Sequence, residues 1–352
     1  MNKKKEKSAY LRLYETLRQG IERGDYTQKL PSKREMAKKI GVSVVTVEHA
    51  YALLADEGFI TAQEKRGYFV TYRAQDSFPV GGEVLPVPPA RKEKAEHFPF
   101  TVLARTMRRV LTDYGEAILR KPPRHGTAEL RGAIARYLSR SRDIHVQSDQ
   151  IWVGSGAEAL YGLILQALGQ ARRYAIEDPS YAKIAQVYQA YGVEPARLKL
   201  AENGISSQAL NGCQADILHV SPYRSYPSGV TASAAKKKEY LQWASLPGRL
   251  LIEDDFESEF AASLKPVDAL FALTEKENVL YLNTFSQTIA PSFRTGYLVL
   301  PPRLAKRFED TVGFYSCTVP TFEQLVLAQL LDGGDFERHL NRVRRKRRKA
   351  EQ

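Results

Sequence analysis

The apolar positions near the N-terminus repeat at helical spacing and predict three helices. The first helix has one apolar stripe, formed by Tyr10, Leu11, Tyr14, Leu17 and Ile21. Two shorter helices follow, with inner faces at Met36, Ala37 and Ile40 and then at Val47, Ala50, Tyr51 and Leu54. A glycine follows each stripe, where a helix commonly ends, at Gly24, Gly41 and Gly58.

The residues that flank these helices predict how they are connected. Ser32, with Glu35 three positions later, predicts a capping box at the start of the second helix. Ser43 is a preferred N-cap residue at the start of the third helix. Residues 59–70 predict a β-hairpin with Gly67 near its tip. Helix, helix-turn-helix and hairpin in this order predict a winged helix-turn-helix.

Residues 30–60 resemble the DNA-binding domain of GntR-type bacterial regulators, through their Pro-Ser-x-Arg-Glu-Met-Ala and Gly-Val-Ser segments. The resemblance implies contacts with the phosphates or base edges of double-stranded operator DNA. The implied DNA contacts are Lys33, Arg34, Ser43, Val44, Thr46, His49, Lys65, Arg66 and Gly67. Many relatives carry Arg in place of Val44, and valine contacts only a thymine methyl group, so an operator of different A·T content is expected. The alternative is a winged helix used for protein contacts.

Residues 74–98 are rich in Pro and Gly and have no sustained period of 2 or 3.6. This composition predicts a semi-flexible linker. The predicted organisation is a winged helix-turn-helix domain at residues 1–73 (the head), the linker, and a large domain at residues 99–352 (the body).

Helical and strand-like segments alternate from Phe100 onward, which predicts an α/β body with a mainly parallel sheet. Residues 151–160 predict a strand, a glycine turn and a helix start, where free N–H groups favour an anion. Residues 250–260 predict a second strand that ends in acidic side chains. A third strand, at 279–282, leads into a turn that begins at Thr284.

This last turn is suited to a phosphate group, because Thr284 and Ser286 offer short donors and Arg294 a bidentate guanidinium. Its sequence resembles the cofactor-lysine segment of fold-type I pyridoxal 5'-phosphate (PLP) proteins. In that family the residue after the second hydroxyl is the lysine that forms the Schiff base. Gln287 stands there in this chain, and an amide cannot form an imine.

Two further segments carry the same resemblance, Glu-Asp-Pro-Ser-Tyr181 and Ile-Glu-Asp-Asp-Phe256. The resemblance implies that Tyr181 stacks on the pyridine ring and that Asp254 pairs with the ring nitrogen. Phe256 lacks the hydroxyl of the family's tyrosine, and Glu158 would repel a phosphate unless it faces away. The implied cofactor contacts are Gly156, Ala157, Tyr181, Asp254, Phe256, Thr284, Ser286 and Arg294, and the implied effector contact is Lys183.

Arg224-Ser225 is a further departure, because the family has His-Gln at these positions near the ring. With the lysine also replaced by Gln287, transamination is not expected. PLP is expected to bind non-covalently at best, and no metal site is predicted.

Head and body together resemble the MocR-type regulators, in which a GntR winged helix is fused to an aminotransferase-like domain. The resemblance implies a cytoplasmic transcription regulator whose body forms a homodimer and places two heads on paired half-sites, with a small-molecule effector. Residues 336–352 resemble the helix that leads into the family's C-terminal subdomain, which the chain is expected to lack. Two alternatives stay open: a PLP-binding aminotransferase-like enzyme or non-covalent PLP sensor, and a dimerisation scaffold without a ligand.

The net charge of +12 over 352 residues is concentrated at the two ends. Residues 1–73 hold 15 Lys and Arg against 9 Asp and Glu, and residues 336–352 hold 8 against 2. The middle holds 29 of each and is neutral. Basic ends favour an anionic polymer as partner, although solvated surface charge explains the C-terminal run equally well.

Cysteine content and hydropathy bear on the compartment. Cys213 and Cys317 are too few for a disulfide framework, which fits a reducing cytoplasm. No apolar run approaches the roughly 20 residues needed to span a bilayer, so no membrane contact is expected. The basic N-terminus has no apolar segment behind it, so export is not expected either.

Overall fold

The computed structural model describes residues 8–73, 98–261, 268–274 and 277–351. The chain divides into two compact units, residues 1–92 and 93–352, and each has its own hydrophobic core. The predicted linker at residues 74–98 lies, apart from Phe98, outside the described residues.

Within residues 8–73, the head contains three helices and a three-stranded antiparallel sheet. The helices are α1 (Ala9–Arg23), α2 (Lys33–Ile40) and α3 (Val44–Asp56), and the strands are β1 (Lys29–Leu30), β2 (Ile60–Gln63) and β3 (Gly67–Val70). β3 lies in the middle and pairs with both β1 and β2. The predicted winged helix-turn-helix is confirmed, but β1 was not predicted, because two residues are too short to show a strand period.

The core of the head forms where the three helices and the hairpin meet. The stripes predicted for α2 and α3 are buried, except that Ile40 is exposed. In α1 the prediction was partly wrong, because Leu13 is buried whereas Tyr10 and Leu11 are only half-buried. α1 turns the face that carries Leu13 towards this core, which leaves Leu11 at the edge.

The body alternates helices and strands along the chain. Its described helices are α4 (Phe100–Tyr114), α5 (Ala128–Arg142), α6 (Ala157–Leu168), α7 (Ala182–Ala190), α8 (Ser207–Asn211), α9 (Ala234–Ala244), α10 (Pro302–Val312), α11 (Thr321–Asp332) and α12 (Asp335–Glu351). Its described strands are β4 (Ile151–Gly154), β5 (Tyr174–Asp178), β6 (Ala196–Ala201), β7 (Gly204–Ile205), β8 (Ile217–Val220), β9 (Leu250–Asp254), β10 (Val279–Thr284) and β11 (Gly296–Val299). Short 3-10 helices lie at Gly115–Leu119, Ser148–Gln150 and Ser258–Phe260.

The described body strands form one sheet in the order β4-β11-β10-β9-β8-β5-β6-β7. β10, β9, β8, β5 and β6 pair in parallel. β11 runs antiparallel to both of its neighbours, and β7 is an antiparallel edge strand. The predicted α/β fold with a mainly parallel sheet is therefore confirmed.

Helices cover both faces of this sheet. Successive residues of a strand point to opposite faces, so each central strand contributes to two cores. In β10, Tyr281 belongs to the core that contains residues of α5, α11 and α12. Its neighbours Leu280 and Leu282 belong to the core that contains residues of α6, α7 and α10. Burial on both sides fixes the adjacent carboxyl ends of β9 and β10, where Asp254 and Thr284 lie.

Cys213 and Cys317 are both buried free thiols. Within the described ranges, no helix combines the length and the apolar character that a bilayer crossing requires.

Candidate functional site

Side-chain caps define the starts of α2 and α3. Ser32 Oγ accepts a hydrogen bond from Glu35 N at 3.3 Å, and the Glu35 carboxylate accepts one from Ser32 N at 2.8 Å. Ser43 Oγ accepts a hydrogen bond from Thr46 N at 3.1 Å and lies 2.8 Å from Thr46 Oγ1. These caps satisfy N–H groups that the helices leave unpaired. Ser43 and Thr46, predicted as DNA contacts, therefore also hold the first turn of α3.

The first turn of α3 presents apolar side chains to solvent. Val44 is 42% exposed and Val45 is 58% exposed, whereas Val47 is buried in the core of the head. In helix-turn-helix proteins, the second helix of the motif contacts base edges through its first residues, and α3 is that helix here. Two adjacent exposed valines there fit contacts with thymine methyl groups. Val45 was not predicted, although its position beside the buried stripe was readable from the sequence.

Lys33 and His49, which were predicted as DNA contacts, interact with other side chains of the head. The Lys33 ammonium group forms an ion pair with Glu48. The ring of His49 meets the edge of the Tyr10 ring at a centroid distance of 5.7 Å. Arg34 is exposed, so it is better placed than Lys33 to reach a DNA phosphate or base.

The hairpin tip between β2 and β3 is exposed and basic. Lys65 has φ 59°, and Gly67 has φ 107°, a value that favours glycine. Lys65 and Arg66 line a concavity together with Lys29 and Lys39. The last two residues were not predicted, because only the tertiary fold brings β1 and α2 next to the hairpin.

A cleft of about 390 Å³ opens in the body at the carboxyl ends of β9 and β10. The residues that line it are Ala157, Glu158, Tyr161, Tyr181, Ser221, Tyr226, Asp254, Phe256, Thr284, Ser286, Gln287 and Arg294. Of the predicted ligand contacts, Gly156 and Lys183 are not among the lining residues. The fold thus brings the other predicted ligand contacts from distant parts of the sequence into one concave site.

Asp254, at the end of β9, lines this cleft although its side chain is buried. Its Oδ2 accepts a hydrogen bond from the Tyr161 hydroxyl and lies 3.5 Å from His219 Nε2. Burial and the Asp254 charge raise the pKa of Tyr161, which keeps that hydroxyl protonated. Within the described chain, Asp254 Oδ1 is buried and has no hydrogen-bond partner. One oxygen of this carboxylate is therefore left for a donor from outside the described residues.

Glu158, in the first turn of α6, lines the cleft and does not face away from it. Its carboxylate lies 3.7 Å from Arg294 Nη2 and 3.4 Å from Lys183 Nζ. Gly156 caps α6 with φ 91°, and a Cβ there would lie 3.4 Å from Arg294 Nη2. The position expected for a phosphate is thus surrounded by two cations and a helix N-terminus, and a carboxylate of the chain already pairs with both cations.

The turn between β10 and β11 is closed by its own hydrogen bonds. Ser286 Oγ donates to Phe293 O at 2.8 Å, and Phe285 N donates to Thr295 O at 2.8 Å. A hydroxyl has one proton, so Ser286 can only accept a hydrogen bond from a ligand while its bond to Phe293 persists. Gln287 follows it and lines the cleft.

Arg224 and Ser225 do not line the cleft, although Ser221 and Tyr226 of the same segment do. Arg224 Nη1 donates to Glu257 at 3.2 Å. Ser225 Oγ donates to Glu177 Oε2 at 2.6 Å, and Ser221 N donates to the same oxygen at 3.2 Å. Burial raises the pKa of Glu177 to about 7. The hydrogen bonds of Arg224 and Ser225 thus anchor the loop that also contains Ser221, which lines the cleft.

A second buried network lies beside the segment that follows β9. Arg142 of α5 forms an ion pair with Asp255, which also accepts a hydrogen bond from the Tyr281 hydroxyl at 2.8 Å. Glu259 accepts a hydrogen bond from Asn283 Nδ2. Burial and the Asp255 charge raise the pKa of Glu259 to about 7. The guanidinium of Arg142 is therefore a cation that offsets the charge of the buried Asp255 carboxylate.

PLP, which the fold family implies, fits this cleft only in part. The free Oδ1 of Asp254 suits a protonated ring nitrogen, and Tyr181 offers an aromatic ring. Against this, Gln287 provides no imine-forming amine, Phe256 provides no hydroxyl, and Glu158 opposes a phosphate dianion. The residues present do not fit PLP as a covalently held cofactor.

Four residues of the cleft and its surroundings were not predicted from the sequence: Tyr161, His219, Ser221 and Tyr226. Tyr161 and His219 are buried and look like core residues in the sequence pattern. The ring of Tyr226 lies 6.0 Å from that of Tyr181 at an interplanar angle of 76°. This proximity joins two distant loops, so no local signal indicated it.

Relatives that match nearly the whole chain are named as transcription regulators. The uncharacterized HTH-type transcriptional regulator YdeL of Bacillus subtilis is 30% identical, over 97% of this chain and 77% of the relative. The HTH-type pyridoxine biosynthesis transcriptional regulator PdxR of Corynebacterium glutamicum is 31% identical, over 95% and 75%. The probable rhizopine catabolism regulatory protein MocR of Rhizobium meliloti is 27% identical, over 95% and 73%.

Solved structures similar to the body are aminotransferases. The multiple substrate aminotransferase of Thermococcus profundus aligns with a TM-score of 0.63 and 24% identity. The kynurenine aminotransferase of Pyrococcus horikoshii aligns with a TM-score of 0.64 and 26% identity. Each alignment covers 70% of this chain and 64% of the aminotransferase, so this chain spans about two thirds of their length.

Two family matches cover the head and the body. Residues 9–70 match the bacterial regulatory proteins of the gntR family, and residues 91–352 match aminotransferase class I and II. The matches follow the same order as the winged helix and the α/β body in the fold. The chain therefore belongs to the MocR-type transcription regulators, in which a GntR-family helix-turn-helix is joined to an aminotransferase-like domain.

Proposed function

We propose that this regulator contacts operator DNA through residues 1–73 and senses a ligand, without transamination, through residues 99–352, with residues 74–98 as the tether. The cleft carries this proposal, because Gln287 lines it in place of a lysine while Asp254 keeps a buried, unpartnered oxygen. A cleft without an imine-forming amine cannot hold a cofactor as a Schiff base. A buried acceptor without a donor favours a ligand-binding site over a bare scaffold.

The proposed DNA surface combines the first turn of α3 with nearby cations. Arg34 and the two cations of the hairpin tip would contact phosphates, and such contacts dominate the affinity of DNA-binding proteins. Val44 and Val45 would enter the major groove against base edges. Lys33 would contribute less, because a phosphate has to compete with its ion pair to Glu48.

A gel-shift titration of the full chain on a duplex selected from random sequence tests this surface. Arg34→Ala should weaken binding by about 1–3 kcal/mol if the guanidinium reads a base edge. Raising the salt concentration from about 50 to about 200 mM should weaken wild-type binding steeply. Lys199→Gln removes an exposed cation of β6 and should leave the affinity unchanged. Salt-independent binding, or full affinity of the Arg34 variant, would contradict the assignment.

Exposed apolar side chains of the body support a homodimer. Phe100 at the start of α4 is 78% exposed, Leu119 is 81% exposed, and Phe314 after α10 is 71% exposed. Contact surfaces between proteins expose large apolar side chains, so these three residues are candidates for the dimer contact. A two-fold dimer would place two heads on paired half-sites.

Sedimentation equilibrium of the full chain tests the dimer. Wild type should sediment as a dimer, and Leu119→Asp should shift the equilibrium towards the monomer, because it places a charge in an apolar contact. Leu246→Asp changes a half-exposed leucine after α9 and is the matched control. A monomeric wild type, or equal effects of both variants, would remove the support for this surface.

The ligand of the body is proposed to be a small-molecule effector, sensed in the cytoplasm. The relative named as a pyridoxine biosynthesis regulator is similar over 95% of this chain, which supports a ligand related to that class. We expect weak, reversible binding of PLP, measured by absorbance, without reductive trapping by borohydride. A trapped adduct would favour the enzyme alternative, and an absence of any ligand binding would favour the scaffold.

A further inference from the structure

The charged groups in and beside the cleft are balanced, and a carboxylate already occupies the corner expected for a phosphate. Among the described lining residues, Glu158 and Asp254 are carboxylates, and Arg294 is a guanidinium. Glu158 lies 3.7 Å from Arg294 Nη2 and 3.4 Å from Lys183 Nζ. The negative charge of Glu158 offsets part of the attraction that these two cations would exert on an anion in this corner.

Asp254 is the second carboxylate that lines the cleft. Its side chain is 5% exposed, and Oδ2 already accepts the hydroxyl of Tyr161. Oδ1 is buried and has no partner among the described residues. A charged donor suits this oxygen best, because a hydrogen bond between ions is stronger than one between neutral groups. A protonated ring nitrogen meets that need in a narrow site.

Aromatic side chains give the cleft its shape. The rings of Tyr181 and Tyr226 lie 6.0 Å apart and nearly perpendicular to each other, and both line the cleft with Phe256. Aromatic faces attract planar rings and cations. A volume of about 390 Å³ accommodates one small ring with short substituents.

We propose that the cleft binds a small planar aromatic cation without a phosphate group, with its ring N–H donated to Asp254 and a second donor directed to Glu158. Glu158 takes the place that a ligand phosphate would occupy, and it selects a hydroxyl or ammonium group there. This ligand class rests on the sensing role proposed above.

Pyridoxamine and pyridoxamine 5'-phosphate are matched probes, because they differ only in the phosphate and neither needs a lysine to bind. Isothermal titration calorimetry of the full chain with each compound measures the selectivity. Wild type should bind pyridoxamine at least about tenfold more tightly than its phosphate, a difference of about 1.4 kcal/mol. Tighter binding of the phosphate by wild type would overturn the proposal.

Three variants locate the source of this selectivity. Glu158→Gln should move the ratio of the two affinities by about tenfold or more towards the phosphate, because Arg294 and Lys183 lose their carboxylate partner. Asp254→Asn should weaken both compounds by about tenfold and leave the ratio unchanged. Glu202→Gln, at an exposed turn, is the control and should change neither. Circular dichroism and melting curves show whether each variant is folded.

The remaining outcomes are separable. An unchanged ratio in folded Glu158→Gln would overturn the proposal, and so would an absence of binding by wild-type protein that still shifts operator DNA. A gel shift with and without pyridoxamine tests the sensing role itself. Selective binding that leaves operator affinity unchanged would support the ligand class and refute the sensing role.

Discussion

Replacing Glu177 with Gln is expected to reduce the pH dependence of the stability of the body. Glu177 is 3% exposed in β5, and its Oε2 accepts hydrogen bonds from Ser225 Oγ and Ser221 N. Burial raises the pKa of Glu177 from 4.5 to about 7. Between these two values the folded protein retains the carboxyl proton, whereas the unfolded chain has released it.

The sign and size of the effect follow from this difference in proton binding. Stability falls as the pH rises from 4.5 to about 7, because the unfolded state binds fewer protons than the folded state in that window. At about 1.4 kcal/mol per pH unit, the loss amounts to about 3 kcal/mol. The stability that comes from the raised pKa of Glu177 is fully present below pH 4.5. Above pH 7 Glu177 is ionised in both states, so its effect on stability does not change further. Glu253 and Glu259 also have a pKa raised to about 7, so only the difference between wild type and variant isolates Glu177.

Urea unfolding between about pH 4.5 and about pH 7.5 measures the prediction. Tryptophan fluorescence reports on the body alone, because Trp152 and Trp243 both lie there and the head has none. The unfolding free energy of wild type minus that of Glu177→Gln should fall by about 3 kcal/mol across this range. Glu202→Gln, at the exposed turn between β6 and β7, should keep the wild-type slope. Equal slopes in wild type and Glu177→Gln would show that Glu177 titrates as an ordinary carboxyl group and would refute the reasoning.

Two further predictions concern the buried network and the cleft. Arg142→Met should lower the unfolding free energy by roughly 3–5 kcal/mol in urea denaturation, because it leaves Asp255 buried without its cation; adding Asp255→Asn should recover part of the loss, and strictly additive losses would contradict the pairing. Gln287→Lys should produce only a weak visible absorbance band with PLP, because Phe256 offers no hydroxyl to the ring oxygen and Glu158 repels the phosphate. A strong, stoichiometric band in this single variant would show that the cleft is intact for PLP.

The sequence by itself determined the architecture of the head and the fold class of the body. The capping box of Ser32 and Glu35 and the N-cap Ser43 act over three or four residues, so their geometry follows from local spacing. The burial of Met36 and Val47 followed from helical periods that are visible without a fold. The alternation of helices and strands likewise predicted a mainly parallel sheet before any strand order was known.

Only the tertiary structure decided what the cleft contains. Glu158, Lys183 and Arg294 lie in different segments of the chain, and strand order and helix packing bring both cations within 4 Å of the Glu158 carboxylate. The sequence could not predict the unpartnered oxygen of Asp254 either. Whether a buried oxygen has a donor depends on all of its neighbours in space. The partner of Arg224 was invisible for the same reason: a motif aligns residues along the chain, whereas the Arg224 side chain pairs with Glu257 in the fold. Periodicity and capping are local, but charge pairing in a cleft depends on distances that only the packed fold determines.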